Sequence, residues 1–433
     1  MRWIIAALVG AATAAPSGYS EEPDAAETSA DRVAPRYLLV NMHYDTARQG
    51  AAREALQAVV DALQPPDNPK LRVGVHVIYS LLELDVDTLR ASLTSLLAAA
   101  EEVGVPIQLA LDGQNWWQTR PDLWNWWDPD LPGYNPANAE HVEWTDWSPE
   151  AAVKIGWRNW GRQIRVAPAP NILHPQVIEE HLIRYRVAIP LIAEWHRQLP
   201  DDRKHLFAGV KLGWEAGIGY NAFYYPDGNR IYEAHPDTEA HDPETGLQTA
   251  SGWPCDAQRI GYAAVKTAGI RTEGELTVAD VAEATRRYLE ILARSAVELG
   301  MPPEHITVHQ GGTYAPFDKH LPFSAAFNDY AIPGWSFYFL GPDDTPLREA
   351  METAGRTSWA AAEWWWPGQD VDQWRANLEA TLRFMDCRSL VIYNWNRSLE
   401  RNEAGQEAIR RLAAEWTEQA PARNSPALAS ANE

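Results

Sequence analysis

Leu206-Phe-Ala-Gly-Val-Lys-Leu-Gly-Trp-Glu-Ala-Gly-Ile-Gly-Tyr220 decides the fold. Its first seven residues are an apolar run broken by one glycine, the pattern of a buried strand. Where that strand should end stands Glu215, beside Trp214 and ahead of Gly217, Gly219 and Asn221. A carboxylate at the end of a buried strand, walled by aromatic rings, is held toward its protonated form and so suits proton donation. The same chain must then supply a barrel around it and a second carboxylate to face it.

Working outward, short apolar runs alternate with helical patterns. Strands are expected at 37–43, 72–79, 106–112, 206–212, 305–310, 334–340, 358–364 and 389–395. Helices are expected at 47–63, 86–103, 176–197, 257–268, 278–299, 371–385 and 404–419, with Thr277 as an N-cap. Eight strands alternating with helices predict an α/β fold, a (β/α)8 TIM barrel spanning 35–419. The alternative is an open doubly wound sheet, but no Gly-rich dinucleotide or phosphate loop follows any strand. Long aromatic-rich loops follow strands three and four, from Asp112 to about Pro175 and from Glu215 to about Pro254. Loops of that length at the C-terminal face of a barrel shape a cleft or lid.

A chain of 433 residues with a net charge of −22 has size for such a barrel and a field that repels nucleic acid and anionic membranes. Its 21 tryptophans, nine of them in the loop that holds Trp116, suggest flat apolar faces for a ligand. Residues 1–15 combine Arg2, a short apolar run and an Ala12-Thr-Ala14 pattern, which predicts a secretory signal and a secreted or periplasmic protein. Residues 16–34 read as a flexible linker and 420–433 as a disordered tail. Cys255 and Cys387 either pair or stay apart, and oligomeric state is open. No cofactor and no metal are expected: the acidic stretch 233–244 lacks metal-ligand spacing and reads as a solvated loop.

The ends of the expected strands carry Asp112 and Asn115, Trp214 and Glu215, His309 and Gln310, Trp335 and Tyr338, Glu363, then Asn394 and Trp395. With Trp116, Asn221 and Trp364 from the loops, these amides, carboxylates, imidazoles and indoles suit a sugar. Sugar hydroxyls need donors and acceptors at their edges, and the C–H face of a pyranose stacks on aromatic rings. Glu363, in Ala360-Ala-Ala-Glu-Trp-Trp-Trp-Pro367, is the expected second carboxylate.

Glutamates ending strands four and seven of a (β/α)8 barrel resemble the glycoside hydrolases of clan A, the 4/7 superfamily. The resemblance implies a retaining enzyme with Glu215 as acid/base and Glu363 as nucleophile. It also implies Trp395 as floor of the sugar site and Tyr338 or His309 as a group orienting the nucleophile. Trp214 stands where clan members carry asparagine, so Asn115 or Asn394 would take the contact to the sugar 2-hydroxyl. An inverting barrel glycosidase using the same two glutamates, and a non-catalytic carbohydrate-binding barrel, remain alternatives. A metal-dependent hydrolase is a further one; it would need His43, His76 and His309 to converge with carboxylates.

Overall fold

Each of the eight expected runs forms a strand. In the computed structural model, which describes residues 35–43, 51–113, 117–159, 163–218, 224, 258–311 and 321–417, the strands run as follows. β1 is Arg36–His43, β2 Leu71–Ser80 and β3 Ile107–Asp112; β4 (Gly156–Asn159) and β5 (Gln163–Val166) form a separate antiparallel pair. β6 is Phe207–Ala216, β7 Ile306–Gln310, β8 Ile332–Tyr338, β9 Ser358–Trp365 and β10 Asp386–Ile392. Neighbouring barrel strands pair in parallel, and β1 closes the circle by pairing with β10, Tyr37 opposite Ser389 and Val40 opposite Ile392. The result is a closed (β/α)8 barrel in the order β1, β2, β3, β6, β7, β8, β9, β10. Glu215 therefore lies on the fourth barrel strand and Glu363 on the seventh.

The helices form the outer layer: α1 (Ala52–Leu63), α2 (Val86–Val103), α3 (Pro175–Gln198), α4 (Tyr262–Thr267), α5 (Val278–Glu298), α6 (Leu347–Thr353), α7 (Val371–Arg383) and α8 (Glu403–Glu415). Their ends are set by local chemistry. Asp85 accepts from the backbone N–H groups of Asp87 and Thr88 to start α2. Thr277 and Asp280 cap α5 reciprocally, as expected of Thr277. α4 begins at Tyr262, after Gly261, rather than at 257. α6 had no counterpart in the sequence reading; one apolar face only two turns long is too short for a periodic signal.

Alternate strand residues divide between two environments. Leu109 and Leu111 of β3, Val210 and Leu212 of β6, and Trp335 and Phe337 of β8 join the apolar layer beneath the helices. The intervening residues, His76, Gln108, Lys211, His309 and Ser336, are just as buried but bond to one another across the barrel interior. Gly334 permits this closeness, because a Cβ there would lie 2.7 Å from the Val308 carbonyl oxygen and 3.1 Å from the Ala362 Cβ.

The loop after β3 is folded on itself. Trp117, Trp126, Trp144 and Trp147 donate their indole N–H groups to the carbonyls of Pro168, Val153, Ala139 and Gly274. Trp117 also joins Leu123, Val142 and Val177 in a small apolar cluster. These four hydrogen bonds anchor the loop. Trp116, Asn115, Asn221, residues 1–34 with the expected signal and linker, 233–244 and 420–433 lie outside the described residues, as does Cys255. Cys387 is a buried thiol against the Ser389 carbonyl oxygen. No described helix is long and apolar enough to cross a membrane.

Glu143, fully buried, ties this loop to α4. Its Oε1 accepts from the Ala264 N–H at 3.2 Å, and burial raises its carboxyl to about 8. A folded-state value above the ordinary 4.5 means the folded chain holds a proton that the unfolded chain has lost. The stabilisation is fully present below about pH 4.5 and is lost as pH rises through about 8. Unfolding in urea from about pH 5 to about pH 8 should therefore show stability falling by up to ~4 kcal/mol from this group, and Glu143→Gln should flatten the fall.

Candidate active site

The fourth barrel strand does not end as a regular strand. Leu212 pairs with Val308 and the next registered pair is Ala216 with Gln310, so β6 bulges between them. Gly213 takes φ +70° and Glu215 φ +47°, both in the left-handed region. Glycine adopts that region freely, whereas for a glutamate it costs about 1–3 kcal/mol and persists only where the surroundings enforce it. Bulges re-aim side chains. Here the bulge brings the Glu215 carboxylate to the Ser336 hydroxyl of β8, Oγ to Oε1 at 2.8 Å.

A second irregularity, between Trp335 and Ser336, sets Ser336 opposite Glu363 in the β8–β9 register. Ser336 thus lies beside both glutamates. Glu215 is 8% exposed and Glu363 1%, so each is a buried carboxylate held in a polar network. The Tyr338 hydroxyl donates to Glu363 Oε2. Glu363 Oε1 lies 3.9 Å from the Nζ of Lys211, which has no exposed surface. Lys211 Nζ is also 3.3 Å from His309 Nδ1 and 3.3 Å from the Ala362 carbonyl oxygen, and His309 Nε2 is 2.8 Å from Ser336 Oγ.

The electrostatics follow from burial. Burial lowers Lys211 below the ordinary lysine range, and the negative charges of Glu363, Glu215 and Asp112 oppose that shift. His309 is held well below the usual imidazole range by burial, then by the Lys211 charge and His76. His76, bonded through Nδ1 to Gln108 Oε1 at 2.8 Å, is likewise held low by burial and Lys211. Tyr393, just past β10, is raised by burial and next by the Glu363 charge. Its ring lies 6.4 Å from that of Tyr338 and packs on Ile78 and Ala110.

The expected site residues divide accordingly. Glu215, Glu363, His309 and Tyr338 are brought together, and buried Asp112 acts on Lys211 from β3. Asn394 and Trp395 lie beyond the end of β10, which stops at Ile392. Asn394 Oδ1 accepts from the Arg397 N–H, and Trp395 is 4% exposed within the apolar core.

Trp335, Gln310 and Trp364 are corrections: they face the helix layer. Trp335, with no exposed surface, packs edge-on against Phe323 and donates to Gln310 Oε1 at 3.2 Å. Gln310 in turn donates to the Pro322 carbonyl oxygen, and Trp364 packs on Trp374 of α7 at 5.4 Å. Side chains alternate along a strand, so with Ser336 and Tyr338 inside, Trp335 must point out. Tyr79, bonded to Ser92 of α2, is placed outward for the same reason. The side chain of Trp214, like that of His43, lies outside the described residues.

Sequence reasoning missed Lys211, Ser336, Tyr393 and Phe339. Lys211 had a signal, a lysine inside an otherwise apolar strand, which requires a buried partner. Phe339 follows Tyr338 directly, is 58% exposed and holds φ +64°. Among the described residues, no three His, Cys, Asp or Glu side chains gather as a metal-binding group.

No family model matches the sequence, and no curated protein matches it. Similar solved structures exist. They include a chitobiase from Flavobacterium johnsoniae, 10% identical, with 87% of this chain and 48% of that one covered and a TM-score of 0.40. A β-mannanase from the blue mussel Mytilus edulis is 8% identical, with 87% and 92% covered and a TM-score of 0.40. An endogalactoceramidase is 12% identical, with 87% and 74% covered and a TM-score of 0.35. These structural neighbours are glycoside hydrolases. The chain spans about half the length of the chitobiase.

Proposed function

We propose that this chain is a secreted glycoside hydrolase that cleaves O-glycosidic bonds in an oligo- or polysaccharide with retention of configuration. The observation that carries the reading is the pair of buried glutamates ending the fourth and seventh barrel strands, with Ser336 beside both. Glu363 is the nucleophile. Lys211 at 3.9 Å supplies a counter-charge, and the Tyr338 hydroxyl, donated to Oε2, fixes its orientation. Glu215 is the proton donor. It protonates the departing glycosidic oxygen as Glu363 attacks the anomeric carbon, then takes a proton from the water that resolves the glycosyl–enzyme intermediate.

Substrate binding at the barrel mouth is assigned to Asp112, Asn115, Trp116, Trp214, Asn221, Tyr338, Asn394 and Trp395, whereas His309, expected among them, is fully buried with both ring nitrogens engaged by Lys211 and Ser336. Exposed Phe339 and half-buried Tyr393 add aromatic surface beside Tyr338. Secretion rests on the signal-like residues 1–15.

The test is a screen of aryl glycosides and of plant, algal and microbial polysaccharides, run on the wild type alongside Glu215→Ala and Glu363→Ala. Turnover by the wild type that both substitutions remove supports the reading. Wild-type activity that survives both would rule out the two-glutamate mechanism.

A further inference from the structure

We propose that Lys211, His309 and Ser336 form a one-way hydrogen-bond relay that fixes the tautomer of His309 and makes the Ser336 hydroxyl a constant donor to Glu215. The three are positioning residues, and their role rests on the reading of Glu215 as the proton donor. An ammonium group has hydrogens and no lone pair, so across the 3.3 Å to His309 Nδ1 only Lys211 can donate. Nδ1 is then an acceptor, and the imidazole is neutral with its hydrogen on Nε2. That N–H points at Ser336 Oγ, 2.8 Å away, and donates to it. A serine hydroxyl has one hydrogen, and it is left for Glu215 Oε1 at 2.8 Å. Each donor in the chain determines the next.

The consequence is which oxygen of Glu215 carries the transferable proton. Oε1 is occupied as an acceptor, so a protonated Glu215 carries its hydrogen on Oε2 and presents it from there to the leaving group. Glu363 and Tyr338 face this relay from β9 and β8, His76 from β2, Asp112 from β3 and Tyr393 from beyond β10. Lys211 is the cation among them, and the same ammonium lies 3.9 Å from Glu363. Both glutamates are thereby tied to one charge.

Two measurements on the full chain test the relay. With 15N-labelled histidine, and His309 assigned by difference from His309→Gln, the resting protein should show a neutral Nε2–H imidazole that does not titrate between about pH 5 and about pH 9. An Nδ1–H tautomer, or ordinary titration in that range, overturns the proposal. In kinetics, Ser336→Ala should lower kcat by roughly 10- to 100-fold with KM changed less than about threefold. Losing a donor to the carboxylate makes Glu215 hold its proton more firmly, so the alkaline limb of kcat/KM should move to higher pH. Ser336→Thr, which keeps the hydroxyl, should restore both. Unchanged kcat and alkaline limb in Ser336→Ala overturn the positioning role. Absence of turnover by the wild type on every glycoside would instead remove the reading of Glu215, while the imidazole spectrum would still decide the relay.

Discussion

Glu363→Ala is expected to lower kcat on aryl glycosides at least about 10³-fold, because it removes the carboxylate proposed to form the covalent sugar intermediate. Glu215→Ala should behave differently. On a substrate whose leaving group needs no proton, such as a dinitrophenyl glycoside, the first step survives and the intermediate accumulates, since no base activates water. Azide, which needs no base, should then restore turnover and yield a glycosyl azide of retained configuration. On natural sugars, whose leaving groups need protonation, the same variant should lose about 10²- to 10⁴-fold. Product analysis by NMR separates the alternatives. An inverting enzyme would release the opposite anomer from the wild type, and its two carboxyl groups would stand about 6.5–9.5 Å apart rather than the ~5–5.5 Å of retaining enzymes.

The largest effect on stability is expected at Lys211. Its ammonium has no exposed surface and sits within reach of buried negative charge: Glu363 at 3.9 Å, with Glu215 and Asp112 also acting on it. Removing one member of a buried ion pair strands the other without water or partner, which costs about 3–5 kcal/mol. Lys211→Met keeps the volume and removes the charge, so urea unfolding should show a loss of that size. Adding Glu363→Gln removes the stranded carboxylate and should return more than about half of it, a strong coupling between the two sites. A loss under about 1 kcal/mol for Lys211→Met, or additive behaviour in the double variant, would mean the lysine is not the counter-charge of the site.

Much of the barrel is legible in the sequence because its signals are local. Apolar runs bounded by glycine and proline place the eight strands. β10 lies three residues earlier than read, ending at Ile392, and β8 runs Ile332–Tyr338 rather than 334–340. The two glutamates are legible for a related reason: a carboxylate ending an apolar run is costly unless used or paired.

Sidedness was not legible. Trp335, Gln310 and Trp364 were assigned to the mouth because they end strands, yet alternation with Ser336, His309 and Glu363 turns them outward, and the irregularity that sets Ser336 opposite Glu363 fixes that phase in β9. A bulge is a property of two paired backbones, and one strand's sequence does not declare it. The anchoring role of four tryptophans in the loop after β3 was illegible for a different reason. Their abundance is visible, but the carbonyls that take up their indole hydrogens, such as Pro168 for Trp117, are brought close only by the fold. Lys211 and Ser336 were passed over because a lysine within a strand and a serine between aromatics gain meaning only from what lies across the barrel.

The central claim is that Glu363 forms the covalent bond and Glu215 manages the proton. Its most direct test is to trap the intermediate with a 2-deoxy-2-fluoro glycoside bearing an activated leaving group, then digest the protein and sequence the labelled peptide by mass spectrometry. The expected result is one fluorosugar per chain, esterified to Glu363, with labelling lost in Glu363→Gln and retained in Glu215→Ala. A label on any other residue, or an active wild type that releases inverted product and takes up no label, would contradict it.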